Sequence, residues 1–322
     1  MNAGLVGTSP VMETLREMIR RVALSDRPVL VMGPTGSGKE LVVSAVHAHG
    51  PHPAEPLLDL NCGAIPEALM ESQLFGHERG AFTGADRRQD GYLTLVGQGT
   101  LFLDEIAELP MLLQSKLLRV LETGRFRAVG APAELRFAGR VIAATHADLK
   151  KRVEEGRFRE DLFYRLNVFT LRVPALDERT EDIPDLVAHF CSRQNRPLMF
   201  TAEALALLRG VPWPGNVREL RNLIDRIAAF TTDEVVTPPI VRPFLAAPAG
   251  GQAPRISLEL SQMAREILRL PIENKLSAIE EALVMEAVAL ARGNKSAAAR
   301  LLGLHRKALG RRIGDVDKNG RR

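Results

Sequence analysis

Two groups of residues in this chain have the types and spacing to handle phosphate. The first is Gly33-Pro34-Thr35-Gly36-Ser37-Gly38-Lys39-Glu40, which follows an apolar run, Val29–Met32, and precedes a helical pattern, Leu41–His49. Glycines let backbone N–H groups converge on phosphate oxygens, the helix adds its positive end, and Lys39 reaches the β- and γ-phosphates. Glu40 stands where the general pattern has Ser or Thr to ligate Mg²⁺, so another acid must serve the metal. The second group supplies it: Gly99-Thr100-Leu101-Phe102-Leu103-Asp104-Glu105 is a β-run ending in two carboxylates. Asp104 suits Mg²⁺, held directly or through water, and Glu105 suits polarising the water that attacks the γ-phosphate. Together the groups imply a bound nucleotide with Mg²⁺.

Such a site needs a rigid frame. Val29–Met32, Leu57–Leu60, Thr100–Leu103, Arg140–Ala144 and Phe169–Val173 are short apolar, β-branched runs that alternate with helical patterns. That alternation predicts an α/β fold, a parallel sheet flanked by helices. After Pro174 the strands are expected to stop. Three helical stretches follow, Ile183–Gln194, Thr201–Leu208 opened by a Thr cap, and Asn216–Phe230 opened by Asn. The segment from Pro238 to Pro254, rich in Pro, Ala and Gly, reads as an extended linker.

The chain has 322 residues, 45% apolar and 25% charged, a soluble globular mixture of more than one domain. Two cysteines, Cys62 and Cys191, cannot build a disulfide framework or a structural zinc site, and both read as small buried apolar residues. No apolar run reaches the 18 or so residues of a membrane span, and the start lacks a signal pattern, so a cytoplasmic location is expected. The net charge of +4 hides an asymmetry. Residues 293–322 hold nine Lys or Arg against two acids, a local charge of +7, while the rest carries −3. A basic end on a nearly neutral body predicts a polyanion partner.

Between the two phosphate-handling groups lies Gly80-Ala81-Phe82-Thr83-Gly84-Ala85. With this hexapeptide the chain resembles the sigma-54-dependent transcriptional activators, bacterial enhancer-binding proteins of the AAA+ class, from Leu5-Val6-Gly7 to the C-terminal helices. The resemblance implies an ATPase subdomain at 1–178, a helical lid subdomain at 179–237, a linker at 238–275 and a small all-α Fis-type helix-turn-helix domain at 276–322. It makes Gly80–Ala85 the loop that grips sigma-54 and Asn61 a switch on the catalytic Glu105. It also makes Thr145 and His146 the first sensor, in contact with nucleotide. Phe158-Arg159-Glu160-Asp161-Leu162-Phe163-Tyr164-Arg165-Leu166 is similar to the segment whose two arginines, here Arg159 and Arg165, reach the γ-phosphate of the neighbouring subunit. A guanidinium supplied from a neighbour makes hydrolysis depend on assembly. Trp213-Pro214-Gly215-Asn216-Val217-Arg218-Glu219-Leu220 resembles the second-sensor motif, with Arg218 reaching nucleotide from its own subunit and Trp213 packing in the lid.

The basic end reads as a helix, Leu276–Ala291, then Asn294–Leu302, a turn at Gly303-Leu304, and His305–Ile313. In a Fis-type DNA-binding domain His305, Arg306, Lys307 and Arg311 face the major groove or its phosphates. Gly310 weakens the second short helix.

The implied function is ATP hydrolysis coupled to remodelling of sigma-54 RNA polymerase by a ring, a hexamer in the family, bound to upstream double-stranded DNA. Two alternatives are a DNA-binding AAA+ regulator that serves as a scaffold, and an AAA+ motor with a different client. Intact Lys39, Asp104, Glu105, Arg159 and Arg165 weigh against the first, and the hexapeptide against the second. Because the resemblance begins at Leu5, control by a separate regulatory protein or by expression level is expected.

Overall fold

A computed structural model describes residues 4–82, 84–194, 196–245, 268–269, 275–291 and 294–302. The chain divides into two compact units, Met1–Ala249 and Gly250–Arg322.

The first unit is built on a five-stranded sheet. Its strands are β1 (Val29–Met32), β2 (Leu57–Asn61), β5 (Thr100–Asp104), β8 (Arg140–Thr145) and β9 (Phe169–Arg172), in the order β2-β5-β8-β1-β9. All pairings are parallel, as the alternating pattern predicts. Residues alternate between the two faces. Leu30, Leu60, Leu101, Leu103, Val141 and Ala143 enter one core, while Val29, Val31, Phe102, Ile142, Ala144 and Leu171 enter the other. Helices α1 (Pro10–Ala23) and α2 (Lys39–Ala48) help cover the second face, and α3 (Glu67–Phe75), α4 (Tyr92–Leu95), α5 (Met111–Thr123), α6 (Leu149–Glu154) and α7 (Glu160–Leu166) the first. The central strands β1, β5 and β8 are buried on both faces, so their register is strongly specified. Asn61 pairs with Asp104 and Met32 with Thr145, which gathers the C-terminal strand ends into one crevice. The strand order reverses beside β1, the usual place for a ligand site in such sheets.

Two short hairpins leave this frame. β3 (Gly76–His77) and β4 (Gln89–Asp90) pair antiparallel beneath the hexapeptide, and β6 (Arg125–Phe126) pairs with β7 (Leu135–Arg136). Neither shows in the sequence pattern, because two-residue strands leave no periodicity to read.

The lid holds α8 (Ile183–Cys191), α9 (Ala202–Arg209) and α10 (Asn216–Phe230). Thr201 caps α9 by accepting from the Ala204 amide. Two expectations are corrected here. Strands do not stop after Pro174: β10 (Met199–Phe200) and β11 (Val235–Val236) pair in parallel. Nor is Pro238–Leu245 extended. It forms helix α11, with Val241 buried in the lid core that also holds Leu176, Leu208 and Ile224. Pro238 and Pro239 sit in the first turn, where proline is tolerated, and although Pro243 lies inside the helix the apolar face of Ile240, Val241, Phe244 and Leu245 outweighs the composition signal. Trp213 is buried in the same core and donates to the Leu208 carbonyl.

In the second unit, helices Lys275–Leu290 and Lys295–Leu301 bury Val284, Ala287, Ala298 and Ala299 together. Asn294 caps the second helix, accepting from the Ser296 and Ala297 amides. His305, Arg306, Lys307 and Arg311 lie outside the described residues. Among the described residues no helix is long and apolar enough to cross a membrane.

Candidate functional site

The phosphate loop leaves β1 at Gly33, whose amide donates to the Thr145 carbonyl. Gly38 takes a left-handed φ of 104° at the cap of α2, which a side chain would strain. Lys39 is 8% exposed, and its Nζ donates to the Gly33 carbonyl at 3.1 Å and lies 3.8 Å from Glu105 Oε1. Pro34, Thr35, Gly36 and Ser37 complete the loop, and Ser37 is buried. Glu40, in the first turn of α2, is exposed.

The two acids sit at the end of β5 in different surroundings. Asp104 Oδ2 accepts from Asn61 Nδ2 at 3.2 Å, whereas buried Oδ1 has no hydrogen-bond partner among the described residues. Burial pushes the Asp104 carboxyl above its usual range. Its bond to the Glu105 backbone opposes this, the Glu105 charge adds to it and Lys39 relieves it. A buried, unpaired carboxylate oxygen with a raised proton affinity suits a hard divalent cation such as Mg²⁺, which prefers oxygen and keeps much of its water. Among the described residues no cluster of three or more His, Cys, Asp or Glu could hold a metal alone.

Glu105 adopts φ 50° and ψ 49°, a left-handed backbone unusual for a residue with a side chain and common where function demands strain. That turn presents its carboxylate between Lys39 and His146. His146 Nδ1 lies 2.7 Å from Oε2. The family resemblance pairs Asn61 with Glu105; here the Asn61 amide donates to Asp104, its carbonyl accepts from the Gly63 and Ala64 amides, and His146 engages Glu105. Thr145 is buried at the end of β8, its hydroxyl accepting from the Ala147 amide. Cys62 lies behind these acids, its thiol pushed up to about 12 by burial and the nearby carboxylates, so it stays a neutral packing group.

Arg159 and Arg165 lie at the cap and in the last turn of α7. Arg159 Nε and Nη2 donate to Asp161 at 3.0 and 2.7 Å, which raises the arginine's proton affinity and lowers that of the acid. Arg165 donates through Nε and Nη2 to the Leu121 carbonyl. Among the described residues neither bonds to the phosphate loop or the two acids of its own chain. Arg218 meets the phosphate loop through its backbone, its amide donating to the Gly36 carbonyl at 3.2 Å.

The hexapeptide is held by its own turn, with the Gly80 amide donating to the Ala85 carbonyl at 2.8 Å and the Ala85 amide to Phe82. Phe82 is 41% exposed, and its ring sits 4.9 Å from His77, which is buried and hydrogen-bonded to Ser72 at 2.6 Å. Gly84 has φ 97° and open space around it, and Thr83 lies outside the described residues. The Glu78 amide donates to Val129 and the Val129 amide to Gly76, which sets a second loop beside the first. Composition gave no sign of this second loop or of the His77 seat. A histidine at the base of a glycine-flanked turn was the one available cue.

A buried network beneath the loop also escaped sequence reading. Arg179 Nη2 donates to the Ser37 carbonyl, and burial lowers the proton affinity of its guanidinium. Asp182 accepts from the Thr8 and Ser9 amides and the Ser9 hydroxyl.

The family described as the sigma-54 interaction domain matches residues 5–172, the AAA+ ATPase lid domain residues 177–255, and the Fis family of bacterial regulatory proteins residues 275–315. The chain is 42% identical to the DNA-binding transcriptional regulator NtrC of Rhizobium meliloti, over 97% of this chain and 69% of that protein. It is 43% identical to the Nif-specific regulatory protein of Azotobacter vinelandii, over 96% of this chain and 58% of that one. Among solved structures, NtrX from Brucella abortus in complex with ATP is similar with a TM-score of 0.69 and 34% identity, covering 97% of this chain and 69% of that chain. Hsp104, at 19% identity and a TM-score of 0.52 over 70% of this chain, shares the fold alone.

Proposed function

This chain belongs to the sigma-54-interacting AAA+ transcription activators, and from that premise we propose how its residues divide the work. It is an ATPase and a DNA-binding regulator of sigma-54-dependent transcription. In our reading Gly33–Lys39 cradle the phosphates, with Lys39 neutralising their charge, while Asp104 holds Mg²⁺, which offsets charge on the phosphate oxygens when bound. Glu105 orients and polarises the attacking water. Its strained backbone and the His146 contact fix where that carboxylate points, which suits a first sensor made of Thr145 and His146. Asn61 acts on the same pair of acids from the Asp104 side. Arg218 contacts the nucleotide from its own subunit, and Arg159 and Arg165 serve the site of a neighbour. That assignment agrees with their internal partners, Asp161 and Leu121, which they must exchange for phosphate on assembly.

We place these subunits in a ring, a hexamer, in the cytoplasm, bound through His305, Arg306, Lys307 and Arg311 to upstream DNA. Phe82 and its neighbours press on sigma-54. One observation carries the reading: Lys39 and Glu105 face each other at 3.8 Å, while the hexapeptide stands apart on its own hairpin with its aromatic ring exposed. Chemistry and contact therefore use different residues. The test is open-complex formation on a sigma-54 promoter. Opening should require this protein, sigma-54 polymerase and hydrolysable ATP, and opening with a non-hydrolysable analogue, or none under any condition, would contradict it.

A further inference from the structure

Asn216 opens α10 with φ 53°, and besides Glu105 it is the one non-glycine residue with positive φ among the described residues. It is 3% exposed, so a strained backbone and a polar side chain are buried at one point. Its amide group answers for both. Oδ1 accepts from the Leu176 amide at 2.8 Å, on the segment that joins the sheet to the lid. Nδ2 donates to the Thr35 carbonyl of the phosphate loop at 3.1 Å and to Pro214 at 3.3 Å.

Approach around this bond is close. A Cβ on Gly36 would sit 2.4 Å from the Gly215 carbonyl oxygen and 3.0 Å from Arg218 Cβ. Besides Arg179, which donates to the Ser37 carbonyl, two hydrogen bonds cross from the lid to the Thr35–Gly36 turn, Asn216 to Thr35 and the Arg218 amide to Gly36. The Thr35–Gly36 turn cannot shift to meet a phosphate without carrying the first turn of α10 along or breaking both bonds.

We propose that Asn216 is a positioning residue that ties the lid to the phosphate loop, so that nucleotide in the loop sets the position of α10. This rests on the reading of Gly33–Lys39 as the nucleotide site. A carboxamide is the side chain that serves here, because it donates to one carbonyl, accepts from one amide and belongs to a residue type that tolerates left-handed backbone.

Two substitutions separate the tie from the fold. Asn216→Asp keeps the acceptor for Leu176 but turns a carboxylate oxygen on the Thr35 carbonyl, and Asn216→Gly keeps the backbone conformation while deleting the amide. Amide hydrogen exchange of the full chain, with and without adenylyl-imidodiphosphate and Mg²⁺ at ten times its Kd, reads the outcome. In the parent, nucleotide slows exchange about tenfold both in Gly33–Lys39 and at the Arg218 amide. In both variants the loop remains slowed while Arg218 does not, and Leu176 stays protected in Asn216→Asp. The KM for ATP rises about three- to tenfold with a smaller change in kcat. Undiminished slowing at Arg218 in either variant overturns the proposal. Slowing confined to the loop in the parent overturns it too and leaves the nucleotide reading intact, whereas no slowing at the loop defeats that reading first.

Discussion

The crevice at the strand ends and the hexapeptide loop differ in how they are held. In the crevice Lys39, Asp104, Glu105 and Asn61 sit on the ends of buried strands and a helix, each with partners that fix its direction. The hexapeptide rests on two-residue strands, closes on its own backbone and leaves Phe82 on a single ring contact. Hydrolysis needs charges placed before the reaction begins, because reorganising them costs rate. A contact that does work on a partner needs an element that can leave its seat. In the proposed reading the rigid half holds the chemistry, and the loosely seated half transmits it.

Removing the charges that a neighbour is proposed to supply to the rigid half should produce the largest losses. Arg159→Ala and Arg165→Ala are expected to lower ATP turnover by about 10³-fold or more while sparing ATP binding, as for other arginines supplied in trans. Mixing either with Lys39→Ala subunits should restore activity, since each protein supplies what the other lacks; no rescue at any ratio would place the arginines elsewhere.

Within a single chain the effects split. Glu105→Gln should bind ATP normally and lose roughly 10²- to 10⁴-fold in turnover, while Lys39→Ala should bind poorly. Nucleotide titration beside phosphate release distinguishes them, and equal loss of binding would contradict the assigned roles.

A smaller and opposite effect sharpens the comparison. Burial raises the Asp104 pKa, so its ionised form opposes folding in full above the folded pKa and not at all below the unfolded value of about 3.9. Asp104→Asn should therefore raise the melting temperature of the nucleotide-free protein at pH 7 by a few degrees, and the gain should fade as pH drops through the folded pKa. An unchanged or lower melting temperature at pH 7 would mean that burial does not strain this carboxylate.

How much the sequence disclosed follows the same division. The sheet strands and the glycine-rich turn after β1 were legible because buried parallel strands are continuous apolar runs and such a turn has few alternatives for its glycines. The partners of the acids were not. Whether Asn61 faces Asp104 or Glu105 depends on the backbone turn at Glu105, which no periodicity encodes. Pro238–Leu245 misled because the proline, alanine and glycine of the whole stretch 238–254 outweighed an apolar face of four residues. Asn216 looked like a helix opener, yet its amide spans 181 positions to Thr35, a distance invisible to local pattern.

The most direct test of the division is Thr83→Ala, in the middle of the hexapeptide, with Phe82→Ala beside it. Phosphate release and sigma-54 promoter opening are measured on one preparation. The account predicts hydrolysis within about threefold of the parent and no opening above background, because the loop holds none of the groups that place charge on ATP. Normal opening would contradict the sigma-54 contact, and joint loss of hydrolysis and opening would show that the loop belongs to the catalytic frame.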